Sequence, residues 1–257
     1  MIKFSANLGF LFTELDLPDA IRAAKAAGFE AVECHFPYDT PPEQMRAALS
    51  ETGLQMLGLN TWPGDRAAGD FGLAARPDRV SEARKEIARA VDYAAAAGIK
   101  AVHVMAGRTD GDEAAENCFR SNLDHACDLA AEQGINVLIE PINTRDVAGY
   151  HLSTTDHAEQ IIDALERPEL KIMFDCYHMQ IMQGDLAKTL ERLIPKIGHI
   201  QIASVPDRAE PDRGEVDYRW LLQHIDDLGY NGFIGAEYHP QTTTKAGLGW
   251  IKTLRNH

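Results

Sequence analysis

The sequence predicts a single (β/α)₈ barrel over residues 1–257, and three observations predict it. A helix–glycine–strand phrase recurs, its strands read as near-continuous apolar runs, and the chain is long enough for eight such units. The phrase is an amphipathic, alanine-rich helix, then a glycine, then a short β-branched strand. It stands at 20–36 (AIRAAKAAGFEAVECHF), 93–107 (YAAAAGIKAVHVMAG), 128–143 (DLAAEQGINVLIEPIN) and 224–240 (HIDDLGYNGFIGAEYHP). Gly28, Gly98, Gly134 and Gly229 fall just past each helix, where a left-handed backbone costs glycine little.

Strands fed by helical crossovers run parallel. Taken in order, the predicted strands are 3–8, 31–36, 55–60, 101–106, 136–140, 170–175, 197–202 and 232–237. Each unit averages about 32 residues, enough for a strand and its helix. Runs such as AVHVM, NVLIE, KIMF and FIGAE suit strands covered on both faces. A doubly wound open sheet shares this alternation, so periodicity by itself leaves closure open. No Pro/Ser-rich linker or shift in composition marks a second domain. The longest irregular stretch, 61–77 (TWPGDRAAGDFGLAARP), is expected as a lid over the barrel mouth.

Charge and composition remove several function classes. Acidic residues outnumber basic ones 39 to 25, for a net charge of −14, and no Lys/Arg cluster supplies the basic footprint of a nucleic-acid binder. No apolar run approaches the roughly 18 to 20 residues needed to span a bilayer, so no membrane partner is expected. The opening MIKFSANLGF lacks the features of a signal peptide. Cys34, Cys118, Cys127 and Cys176 form no CxxC pair, which suits reduced thiols in the cytoplasm.

In α/β barrels, chemistry sits at the C-terminal ends of the strands. Those ends present Asn7, Glu33 with His35, Asn60, His103, Glu140, Asp175, Gln201 and Glu237. The last four lie 35, 26 and 36 residues apart, one βα unit each, so the fifth to eighth predicted strands each offer one oxygen-bearing side chain at one level. Three carboxylates and an amide oxygen are hard ligands suited to Mg²⁺ or Mn²⁺. A single strand-end acid is more often a helix cap or a salt-bridge partner. Three that converge would repel one another without a cation.

The segments EPIN (140–143), DCYHMQ (175–180), HIQIA (199–203), RAEPDRGEVDY (208–218) and EYHPQTTTKAGLGW (237–250) resemble the hydroxypyruvate isomerase family. KFSANLGFLF (3–12), FPYD (36–39) and GDRAAGDFG (64–72) extend the resemblance nearly end to end. That family lies among the xylose-isomerase-like TIM barrels, beside the ketose 3-epimerases and 2-oxo-tetronate isomerases. The resemblance implies a divalent cation held by Glu140, Asp175, Gln201 and Glu237, with Glu140 and Glu237 also moving protons. It implies substrate contacts for His178 and Arg208, a small keto-acid or keto-sugar substrate, and a homo-oligomer. Ketose epimerases carry a histidine where Gln201 stands, which favours the isomerase branch.

The implied reaction interconverts hydroxypyruvate and tartronate semialdehyde through an enediolate; a 2-oxo-tetronate isomerase or a ketose 3-epimerase is the alternative. Other residues carry weaker expectations. Glu33 and His35 either line the pocket or serve packing or a loop hydrogen bond. Arg66 and Arg108 are candidates for a substrate clamp, Trp62, Phe10 and Phe12 for pocket walls, and Asp146 for support of the ligands. No Gly-rich phosphate loop follows the last two strands, which disfavours a phosphorylated substrate.

Overall fold

Nine parallel strands make up the sheet of the computed structural model, which describes residues 2–255. They are β1 (Lys3–Asn7), β2 (Ala31–Glu33), β3 (Gln55–Met56), β4 (Leu59–Asn60), β5 (Ala101–His103), β6 (Asn136–Ile139), β7 (Leu170–Asp175), β8 (Ile197–Ile202) and β9 (Phe233–Ala236). Their order is β3-β2-β1-β9-β8-β7-β6-β5-β4. The two ends of that order, β3 and β4, are halves of the strand predicted at 55–60. The segment splits because it changes ladder, β3 pairing with β2 and β4 with β5. Hydrogen bonds from Leu57 N to Val32 O (2.8 Å), Cys34 N to Gly58 O (3.2 Å) and Asn60 N to His35 O (2.8 Å) carry the wall across the break. The sheet therefore closes, and the expected barrel is present.

The helices pack outside. Val80–Ala97 buries Ala83, Ile87, Ala90, Val91, Ala94 and Ala97, the three-and-four spacing of one apolar stripe. Asp16, Asp112, Thr154 and Asp217 each accept a backbone N–H at a helix start, which satisfies donors that the first turn leaves open. Gly98 (φ 78°) and Gly134 (φ 62°) stop their helices in the left-handed conformation, as the recurring phrase predicts. Phe4, Phe119, Phe174 and Trp250 fill the layer between helices and strands, and a small cluster of Ala101, Leu138 and Met173 is separate from it. Among the described residues no helix is long and apolar enough to cross a membrane.

Several strands end earlier than predicted, because their last residues serve the loops instead. Met105 and Ala106 leave the ladder to receive the 61–77 segment: Ala74 N and Ala75 N donate to Met105 O (3.2 Å) and Ala106 O (2.7 Å). Gly72 forms an antiparallel bridge with Ala106, and Asp70 pairs with Arg76 and Arg79. The segment expected as a lid is thus fastened to the barrel along its second half.

Gly72 makes this docking possible. Its φ is +117°, and a Cβ there would lie 2.6 Å from Met105 O and 2.7 Å from Gly107 N, whereas one on Gly28 (φ +91°) would meet nothing within 4 Å. Gly28→Ala should cost about 1 to 2 kcal/mol from backbone strain alone. Gly72→Ala should cost clearly more, about 3 kcal/mol or above, because the backbone contact must also open. Urea unfolding midpoints at constant m check this, and equal losses would contradict the close contact.

Candidate active site

Period-two alternation brings the site together, since every second residue of each strand points into the barrel. Ala101, Leu138 and Met173 lie low in the interior, with His199 in register with Met173 and Glu33 hydrogen-bonded to His199. At the mouth come Glu140, Asp175, Gln201 and Glu237, the predicted quartet. Glu140 and Glu237 lie one residue past β6 and β9, while Asp175 and Gln201 are in register on β7 and β8 between them. All four are buried. The loops above enclose a cleft of about 740 Å³ whose walls include Phe10, His103, Glu140, His178, Arg208 and Glu237.

Glu140, Asp175 and His178 offer ligand atoms within 4.8 Å of one another. His178 Nε2 is 3.5 Å from Asp175 Oδ2 and 3.7 Å from Glu140 Oε1. Asn143 Nδ2 donates to His178 Nδ1 at 2.6 Å, so the ring proton sits on Nε2 and faces the acids. Asp146 orients that asparagine, accepting from Asn143 Nδ2 (3.0 Å) and from the Tyr177 hydroxyl (2.8 Å). The expected support from Asp146 therefore reaches His178 rather than Glu140.

Arg208 lies among the acids. Its Nη2 donates to Glu237 Oε2 at 2.9 Å and to Asp175 Oδ2 at 3.3 Å. The guanidinium is held between the rings of Phe10 (4.9 Å) and Tyr177 (5.0 Å), on a backbone with φ 51°. The other oxygen of Glu237 accepts from Asn7 Nδ2 (2.9 Å) and faces His35 Nε2 (3.1 Å).

These partners divide the carboxylates. Burial raises Glu140 well above the usual carboxylate range, and the charges of Glu237 and Asp175 raise it further. Burial also raises Asp175, against the pull of Arg208. Burial acts the same way on Glu237, but Arg208 and the His35 hydrogen bond outweigh it and hold that group down. His103 and His178 are both pushed down to about 3, mainly by burial, and stay neutral.

The residues fit a cation by a separate observation. Glu140 Oε1 and Gln201 Oε1 are buried with no hydrogen-bond partner. Buried oxygens are seldom left this way, and here both belong to a set rich in hard donors. The amide nitrogen of Gln201 is engaged elsewhere, donating to Glu33 Oε2 at 2.9 Å. A second carboxylate–histidine group, Glu116 with His151 (3.0 Å) and His157 (2.8 Å), lies outside the cleft. Arg120 takes the remaining oxygen of Glu116, so that group is already neutralised.

The weaker expectations separate on the same map. His35 and Phe10 line the cleft and Arg66 reaches it, but Arg108 does not. Arg108 is instead in an antiparallel bridge with Tyr150. Phe12 does not wall the site; it is core, with its N–H on Thr244 Oγ1. Trp62 stacks edge-on against Phe36 and is partly exposed. Asn143, Tyr177 and His239 were not singled out from the sequence. All three lie within quoted segments, EPIN, DCYHMQ and EYHPQTTTKAGLGW, and His239 packs on Phe10 with ring centroids 4.3 Å apart.

The xylose isomerase-like TIM barrel family matches residues 21–254. The 2-oxo-tetronate isomerase of Cupriavidus necator is 48% identical over 255 residues, covering 98% of each chain. The hydroxypyruvate isomerase of Escherichia coli is 41% identical over 258 residues, covering 99% of this chain and 100% of that one. A solved structure titled AP endonuclease, family 2, from Brucella melitensis is similar with a TM-score of 0.95 at 40% identity, covering 98% of this chain and 99% of that one. A closed parallel barrel with an acid-lined mouth and full-length likeness to two isomerases leads to one assignment: the chain belongs to the xylose isomerase-like TIM barrel family, as an isomerase of the group that includes hydroxypyruvate isomerase and 2-oxo-tetronate isomerase.

Proposed function

We propose that this isomerase acts on a short 2-oxo acid, hydroxypyruvate, and converts it to tartronate semialdehyde. The observation that carries the reading is the pair Glu140 and Glu237. These buried acids flank one cleft, three strands apart round the barrel, and differ in their readiness to ionise. Glu140, Asp175, Gln201 and Glu237 would hold a divalent cation, Mg²⁺ or Mn²⁺, through oxygen. When bound, such an ion acts as a Lewis acid that stabilises negative charge on the substrate carbonyl oxygen.

The rest is work for side chains. The proton on C3 is acidic only while charge on the carbonyl oxygen is stabilised. Glu237, held ionised, is the base that removes it; the C–H electrons become the C2–C3 double bond of an enediolate. The proton returns to C2 as the carbonyl forms at C3. Glu140, ionised when it serves as a ligand, would take the hydroxyl proton from the C3 oxygen and pass it to the C2 oxygen. His178 donates its Nε2 proton to a substrate oxygen. Arg208, on the cleft wall beside Asp175 and Glu237, offers its fork to the substrate carboxylate.

A second reading is favoured by the 48% identity to a 2-oxo-tetronate isomerase. That acid is one carbon longer and undergoes the same kind of transfer. Turnover of both acids measured in parallel separates the two, and a higher kcat/KM on 2-oxo-tetronate would displace hydroxypyruvate. The charge of −14 opposes a DNA substrate for this chain.

Glu140→Gln and Glu237→Gln should each lower kcat by about 10² to 10⁴-fold, measured at saturating Mn²⁺. Activity within tenfold of wild type in either variant would remove that residue from proton transfer. Cation affinity should also depend on pH. Glu140 and Asp175, whose pKa values are raised, hold protons that a cation must displace, so apparent Mn²⁺ affinity should weaken as pH falls through their range and rise above it. Calorimetry in buffers of different ionisation enthalpy should register proton release on binding. A pH-independent affinity with no proton release would contradict the assignment, as would activity indifferent to chelation.

A further inference from the structure

Glu33 closes β2 inside the barrel, beneath the quartet, and is buried outside the walls of the cleft. Its carboxylate collects three donors. Ser5 Oγ donates to Oε1 at 3.0 Å, while His199 Nε2 (3.0 Å) and Gln201 Nε2 (2.9 Å) donate to Oε2. A carboxylate only accepts, so Gln201 must turn its NH₂ toward Glu33. Its oxygen is thereby sent the other way, where it is buried without a partner, on a strand position paired with Asp175.

The two ends of an amide are nearly equal in size but opposite in effect on a cation: the oxygen binds it and the NH₂ repels it. Shape cannot choose between them, and here a hydrogen bond does. Gly235 leaves room for the choice. A Cβ there would lie 2.3 Å from Glu33 Oε1, 2.8 Å from Gln201 Cγ and 2.8 Å from His199 Nε2.

We propose that Glu33 is a positioning residue for the cation site, holding the Gln201 amide in the one orientation that presents oxygen to the ion. This rests on the cation reading given above. Glu33 touches neither substrate nor ion; it acts through Gln201.

The test titrates Mn²⁺ into the chelator-stripped full chain, reads free Mn²⁺ by electron paramagnetic resonance, and records the Tm of each apo variant. Glu33→Leu removes the acceptor and should weaken Mn²⁺ binding about 10 to 100-fold, the usual effect of losing a partner behind a ligand. Glu33→Gln can still accept both Nε2 donors and should stay near wild type. In the Gln201→Glu background both ends of residue 201 are oxygen, so Glu33→Leu should no longer weaken binding. For the case in which leucine prevents folding, two isosteric changes carry the same logic: Glu33→Gln should strengthen Mn²⁺ binding by Gln201→Glu, by relieving two facing carboxylates, while leaving the Gln201 chain unchanged. Equal losses in both backgrounds, or no coupling between positions 33 and 201, would overturn the inference alone. Absence of saturable Mn²⁺ binding by wild type would overturn the cation reading and this inference with it.

Discussion

Negative charge confined in a closed space is the constraint on which this structure depends. Three carboxylates meet at the barrel mouth with almost no water to screen them, and their mutual repulsion must be answered by protons, by a guanidinium or by a cation. The chain uses the first two at once: Glu140 and Asp175 are pushed toward protonation, while Arg208 binds Asp175 and Glu237 together. The aromatic walls of Phe10 and Tyr177, the unusual backbone at Arg208 and the neutral histidines nearby follow from keeping one positive group at that point. A site so balanced is prepared for ionic ligands.

Much of this was legible in the sequence because two periodicities carry it. The helix–glycine–strand phrase places a parallel strand after each crossover, and the period of two along β5 to β9 points the strand-end oxygens inward. Gaps of one βα unit then put Glu140, Asp175, Gln201 and Glu237 on neighbouring strands without reference to any structure.

What could not be read depends on contacts distant in sequence. The orientation of Gln201 is decided by Glu33, 168 positions away, and no local pattern announces that pairing. The double engagement of Arg208 depends on two strand ends and two rings brought together by closure. Residues 61–77 look like a free lid because turn-forming residues look alike in mobile and docked loops; Gly72, needed for a close backbone approach, was the one hint. Likewise the 55–60 strand carries no mark of its division, since the break follows from a change of partner.

That division has a consequence for water. β3 and β4 contribute two residues each, so the wall is thinnest where they meet, and segments with the fewest ladder bonds open most readily. Gln55, Leu57, Gly58, Leu59 and Asn60 also border an inner hollow of about 250 Å³ that extends up to Gln201 and Glu237. The seam of the barrel is therefore the stretch of wall where local opening would first admit solvent to the underside of the acid cluster.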